Sequence, residues 1–122
     1  VSDKRQQFGQ KGELLAARHL KKNGYKILEQ NYRTQMGEID IIAKDKETIV
    51  FVEVKARRSN HFGNPKWAIT SKKQRKISMV ALYYLKATNQ NSAKARFDVV
   101  AIRSKHDKPE IEIVKNAFEL AY

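Results

Sequence analysis

The sequence predicts an α/β sandwich, two helices around a mixed sheet of about five strands. Two patterns predict it. Gly37–Ala43 and Ile49–Lys55 are apolar, β-branched runs on either side of the polar stretch Lys44-Asp45-Lys46-Glu47-Thr48, the pattern of a β-hairpin. Ala16, Ala17 and Leu20 before the hairpin, and Ile77, Val80, Ala81, Tyr84 and Leu85 after it, recur at helical spacing and define two amphipathic helices. The 122 residues hold no repeat, low-complexity tract or linker, so residues 1–122 are read as a single domain with one core.

In chain order, a helix is expected from Lys4 to Asn23, with Gly9 and Gly12 allowing close approach to the sheet. A strand follows over Lys26–Thr34, then the hairpin, then a loop containing Gly63 and Pro65. The second helix runs from Lys72 to Ala87, with Ser71 and Gln74 spaced as a capping box. Strands over Ala95–Arg103 and Ile111–Val114 complete the sheet. Tyr83 and Tyr84 are expected to pack from the second helix, and Trp67 and Phe62 to anchor the loop. The apolar end of the chain (Ala117, Phe118, Leu120, Tyr122) either closes the core or forms a homodimer contact.

The hairpin register follows from the alternation. With the turn between Lys46 and Glu47, Ala43 opposes Val50, Ile41 opposes Val52 and Ile39 opposes Val54, which makes one apolar face. On the other face Ile42 meets Phe51, Asp40 meets Glu53 and Glu38 meets Lys55. A one-residue slip would mix charge into the apolar face. Two carboxylates directly opposed across a ladder repel, and a shared cation resolves the repulsion. Mg²⁺ suits the pair: it takes oxygen ligands and is commonly held by one or two carboxylates plus substrate phosphates. Lys55, two residues beyond Glu53, projects from the same strand face and could position a water or neutralise a phosphate. Asp40 with Glu53-Val54-Lys55 is thus a minimal set for metal-assisted phosphodiester hydrolysis. The structural alternative is a solvated ion-pair ladder of Glu38, Asp40, Glu53 and Lys55.

Composition narrows the partner. Lys and Arg number 25 against 13 Asp and Glu, a formal charge of +12 that favours polyphosphate and salt-sensitive binding. No apolar run reaches transmembrane length and no amino-terminal signal pattern is present. The absence of cysteine excludes disulfides, cysteinate zinc sites and thiol catalysis, and fits a cytoplasmic location. His19, His61 and His106 match no metal-ligand spacing.

Gly37-Glu38-Ile39-Asp40 followed by Phe51-Val52-Glu53-Val54-Lys55-Ala56-Arg57 resembles the core motif of the PD-(D/E)xK nuclease superfamily. More closely it resembles the small bacterial YraN-like group, whose relatives include Holliday-junction resolvases. The resemblance extends over Gly9–Leu20, Asn31-Tyr32-Arg33, Phe62-Gly63, Ser71–Arg75 and Arg96–Val100. Isoleucine stands before Asp40 where the superfamily name has proline. The resemblance implies a three-layer restriction-endonuclease-like sandwich with Asp40, Glu53 and Lys55 at a Mg²⁺ or Mn²⁺ site. It also implies cleavage leaving a 5′-phosphate, branched DNA as substrate, and a role in DNA repair or recombination. Glu13 matches the helix glutamate that reaches toward the metal in the resolvases. Its alternative fate is to bend into solvent from the edge of the apolar stripe.

Lys72, Lys73, Arg75 and Lys76 crowd the start of the second helix, where the helix dipole disfavours cations. A phosphate would relieve that conflict. With Gln74, and with Arg57 and Arg58 beyond Lys55, they are expected to contact the DNA backbone. Asp98 is expected to hydrogen-bond within the core. Two functions follow: a Mg²⁺- or Mn²⁺-dependent DNA endonuclease, or a non-cleaving nucleic-acid-binding protein on a nuclease scaffold. No basic amphipathic helix with aromatic anchors supports a membrane-surface role.

Overall fold

The computed structural model describes residues 4–57, 69–105 and 108–121. The elements are α1 (Lys4–Lys22), β1 (Lys26–Thr34), β2 (Gly37–Asp45), β3 (Thr48–Arg57), α2 (Ser71–Ala87), β4 (Ala95–Lys105) and β5 (Lys108–Phe118). The five strands form one sheet in the order β1-β2-β3-β4-β5. Neighbours are antiparallel except β3 and β4, which are parallel. That exception follows from α2, whose length carries the chain back to the start of the next strand.

Each helix covers one face. Ile77, Val80, Ala81, Tyr84 and Leu85 of α2 bury against Ile39, Ile42, Ile49, Phe51, Phe97 and Val99. Ala16, Ala17 and Leu20 of α1 bury, with Tyr25, against Ile41, Ala43, Val50, Val52, Val100 and Ile102. With both faces dry, the central strands read as continuous apolar runs. Each large side chain fully buried there contributes about 1.5–3 kcal/mol. Gly12 lets α1 approach closely: a Cβ there would lie 3.2 Å from the Ala56 Cβ. The chain turns out of α1 at Gly24, whose φ of 91° a side chain would resist.

Four expectations are corrected. The start of α2 is capped by Thr70, whose hydroxyl accepts the Lys73 N–H at 3.1 Å. Ser71 is already helical, and the Gln74 side chain donates instead to the Ile69 carbonyl at 2.8 Å. The last strand is longer than Ile111–Val114 because its polar flanks still ladder with β4, from Lys108 to Phe118. Tyr83 is exposed, whereas Tyr84 is buried, with Tyr32 edge-on at 5.2 Å. The β2–β3 ladder runs from Asp45↔Thr48 to Ile41↔Val52 and goes no further. Ala43–Val50, Ile42–Phe51 and Ile41–Val52 thus pair as expected, but Ile39–Val54, Asp40–Glu53 and Glu38–Lys55 are not ladder partners. Glu38 instead opposes Arg33 of β1 and pairs with it at 3.0 Å.

Phe118 stacks on Phe97 with ring centroids 4.8 Å apart, and the Ala121 N–H donates to the buried Ser78 hydroxyl at 2.9 Å. The end of the chain therefore closes the core on the α2 side. Arg58, His61, Phe62, Gly63, Pro65, Trp67, His106 and Tyr122 lie outside the described residues.

Candidate active site

The site begins with a break in alternation at Asp40. Ile41 faces α1, yet Ile39 faces α2 alongside Ile42. Between two neighbours on opposite faces, Asp40 belongs to neither. Its carboxylate turns to β3 and accepts the Val54 N–H at 2.8 Å. A charged side chain thus takes a backbone donor just where the β2–β3 ladder has ended. On the facing strand β1, Asn31 lies between the partners of Ile41 and Ile39 and has a φ of 53°. This left-handed conformation is one that asparagine tolerates better than most residues. Both strands therefore turn over at the same level.

Glu53 follows Phe51 by two residues and so points toward α2. Its residue is only 7% exposed. Burial first, then the charge of Asp40 and a hydrogen bond with it, push the Glu53 carboxyl up to about 8; Lys73 and Lys55 act in the opposite direction. A hydrogen bond between two carboxyl groups requires a proton, and the raised Glu53 carboxyl supplies it. Lys73, held by its own N–H to the Thr70 cap, brings Nζ to 3.6 Å from the Glu53 carboxylate. Glu13 reaches the same place from α1. Its carboxyl is raised by burial, then by the Asp40 and Glu38 charges, while the Asn31 amide and Arg33 oppose the rise.

Glu53 and Glu13 thus each lie beside Asp40, with Lys55 and Lys73 as the cations near Glu53. Arg57 is exposed at the end of β3, and Lys72, Arg75 and Lys76 are exposed on α2. Gln74 is occupied with the Ile69 carbonyl and so acts in the helix start. Arg58 lies outside the described residues. Two contributions were missed by sequence reasoning: the direct contact of Lys73 with Glu53, and the pairing of Asn31 with Glu13. The signals were a lysine in the first turn of a helix, where acids are favoured, and an asparagine inside a strand, which favours turns.

Asp98, fully buried, is a separate and structural cluster. It accepts from the Tyr25 hydroxyl at 3.1 Å, from Arg96 at 3.0 and 3.2 Å, and from the Asn116 N–H at 3.0 Å. Arg96 also donates to Asp45 at 2.7 Å. The expectation of a core hydrogen-bonding role for Asp98 holds.

Among the described residues no group of three or more His, Cys, Asp or Glu side chains is gathered tightly enough to hold a metal by itself. Asp40 and Glu53 nonetheless fit a hard divalent cation. They are oxygen donors held in contact against their own repulsion, and Mg²⁺ commonly completes such a pair with water and phosphate oxygens.

The fold and site define a class: an α/β domain with a mixed sheet and an acidic pair where two central strands part. The sequence model described as "Uncharacterised protein family UPF0102" matches residues 12–102, and the chain belongs to that family. A UPF0102 protein of Desulfosudis oleivorans is 55% identical over 117 residues, covering 96% of this chain and 94% of its own. One from Geobacter metallireducens is 55% identical over 115 residues, covering 94% of each. A third, from Caldicellulosiruptor saccharolyticus, is 47% identical over 116 residues, covering 93% of this chain and 98% of its own. The YraN-like resemblance of the motifs is thereby membership of this family. Among solved structures, Pyrococcus furiosus SfsA in complex with Ca²⁺ superposes with a TM-score of 0.41 at 12% identity, covering 98% of this chain and 66% of that one. A likeness that loose carries no argument.

Proposed function

We propose that the chain is a Mg²⁺- or Mn²⁺-dependent DNA endonuclease with a restriction-endonuclease-like, PD-(D/E)xK arrangement. The observation that carries this reading is the Asp40–Glu53 contact, with Glu53 buried and both lysines beside it. A fold gains no stability by burying two carboxylates together; a divalent cation makes the arrangement useful.

Asp40 and Glu53 would hold the metal, with the Val54 N–H fixing one Asp40 oxygen. When bound, the ion polarises the phosphate and lowers the pKa of a coordinated water. Lys55, on the Glu53 face of β3, orients that water and balances charge on the phosphate. Water oxygen joins phosphorus as the P–O3′ bond breaks, leaving a 5′-phosphate and a 3′-hydroxyl. Glu13, from the opposite helix, receives a proton or helps to fix the water. Lys72, Arg75, Lys76 and Arg57 take the neighbouring phosphates, so affinity falls as salt rises. Branched DNA met during repair or recombination in the cytoplasm is the proposed substrate, and a homodimer would cut its two strands symmetrically. Among the described residues no helix is long and apolar enough to cross a membrane.

A second reading, a nucleic-acid-binding protein that does not cut, is favoured by the absence of a three-ligand acidic cluster among the described residues. One experiment separates the two. Labelled linear, single-stranded, flapped and four-way-junction DNA is incubated with wild type and Asp40→Asn in Mg²⁺ and Mn²⁺ at low salt. The endonuclease reading expects metal-dependent cutting by wild type alone, with DNA binding retained in the variant. Salt-sensitive binding by both and cutting by neither leaves the binding protein.

A further inference from the structure

We propose that Lys73 is a built-in counter-ion of the Asp40–Glu53 pair: it lies against Glu53 while no metal is bound, and it is released toward the nucleic-acid phosphate when a divalent cation takes its place. The inference rests on the metal-site reading above and adds a coupling between the metal and the DNA.

Three observations place Lys73 in this role. Its Nζ lies 3.6 Å from the Glu53 carboxylate, and Glu53 is nearly inaccessible to solvent. Its backbone is pinned by the Thr70 hydroxyl, so its reach to the site is set by the helix start rather than by loop motion. Its side chain is 43% exposed, against 8% for that of Glu53, so it spans from the buried pair to the surface that Lys72, Arg75 and Lys76 share. The first turn of α2 contains no acidic residue, so nothing within that turn competes for the ammonium.

The charges make the exchange reciprocal. An ammonium and a divalent cation cannot both sit on one carboxylate edge without repulsion, so metal binding displaces Lys73. Once displaced, its partly exposed side chain can extend outward, where a phosphate would lie. A phosphate that captures Lys73 must, by linkage, favour metal binding by the same factor. Lys72 is an exposed neighbour of the same charge on the same turn, and among the described residues the ion pair to Glu53 is made by Lys73. Lys72 therefore serves as the control for general electrostatics.

The test measures Mn²⁺ binding by electron paramagnetic resonance in wild type, Lys73→Met, Lys72→Met, Lys73→Arg and Asp40→Asn. Anisotropy of a short labelled DNA duplex in EDTA is read alongside. Lys73→Met should bind Mn²⁺ at least about threefold more tightly than Lys72→Met, which loses the same charge. Lys73→Arg should bind it no more tightly than wild type, because a guanidinium grips a carboxylate through a fork. In EDTA, Lys72→Met should weaken DNA binding more than Lys73→Met, whose ammonium is already engaged. Equal Mn²⁺ affinities for the two methionine variants overturn the counter-ion role and leave the metal site standing. Mn²⁺ binding that is absent, or unchanged in Asp40→Asn, removes the metal site and the counter-ion role with it.

Discussion

Replacing Glu53 by glutamine should stabilise the metal-free protein, and by an amount that grows with pH. The buried carboxyl keeps its proton up to about 8, whereas the ordinary value is 4.5. Between those values the native state holds more protons than the unfolded state, so stability falls as pH rises through the window. It is fully present below about pH 4.5 and lost progressively as pH passes the folded value. At about 1.4 kcal/mol per unit, a shift of this size is worth at most about 5 kcal/mol, a large share of a small domain's 5–15 kcal/mol. Glutamine keeps the shape and has no proton to lose. Urea unfolding in EDTA should therefore give curves for wild type and Glu53→Gln within about 1 kcal/mol of each other at pH 4.5. At pH 9 the variant should be the more stable by about 3–4 kcal/mol. On the proposed metal site, Mg²⁺ or Mn²⁺ would bind the deprotonated pair and should restore the wild type at high pH while leaving the variant nearly unmoved. A stability difference that stays flat from pH 4.5 to 9 would refute both the burial argument and the coupling to Asp40.

Arg96→Met removes the main partner of the buried Asp98 and also frees Asp45; urea unfolding at pH 7 should show a loss of about 3–5 kcal/mol. Gly12→Leu forces side-chain atoms into the Ala56 and Ile102 contact and should lower the melting temperature measured by circular dichroism, at a cost of about 1–3 kcal/mol. Asn31→Gly keeps the left-handed backbone but deletes the amide that favours ionised Glu13. The Glu13 carboxyl, followed by NMR titration, should then rise further while stability changes by less than about 1 kcal/mol. Asn31→Ala loses both and should be the less stable of the two.

The order of elements was legible because its signals are local. The runs Ile41-Ile42-Ala43 and Val50-Phe51-Val52 announce buried strands, and the stripes of α1 and α2 announce the helices that cover them. Asp40, Glu53 and Lys55 stood out as candidates because charge at the end of an apolar strand has few structural reasons to be there, whereas Glu13 was singled out by the family resemblance. What stayed hidden is where regular alternation fails. A period of two extended past Ile41 puts Ile39 on the wrong face and makes Asp40 and Glu53 a ladder pair. In fact the ladder ends first, and Asp40 bonds the Val54 N–H. Nothing in the spacing of residues 37–55 reveals that end, because it depends on Asn31, a residue of another strand, taking a left-handed φ. The cap of α2 was misread by one position for a simpler reason: Thr70 and Ser71 are both good caps, and only the backbone chooses between them.

The same protein shows what a buried carboxylate looks like when the fold places it for stability. Asp98 is fully buried and accepts from Tyr25, from Arg96 twice and from the Asn116 N–H; its partner Arg96 is in turn shared with Asp45. The donors to Asp98 come from the residue before β1, from β4 and from β5, and Arg96 ties in β2 through Asp45. Glu53 is buried almost as deeply, one strand away, yet it faces a second carboxylate and an ammonium at 3.6 Å from a side chain that is partly in water. A chain able to surround Asp98 with donors could have done so at Glu53, or could have placed a neutral residue there at a gain in stability. The contrast separates two roles for burial within one sheet. At Asp98 burial ties strands together, whereas at Glu53 it sets one carboxyl against another, an arrangement that a cation would complete. That contrast, more than the motif, is why the acidic pair is read as a site for chemistry.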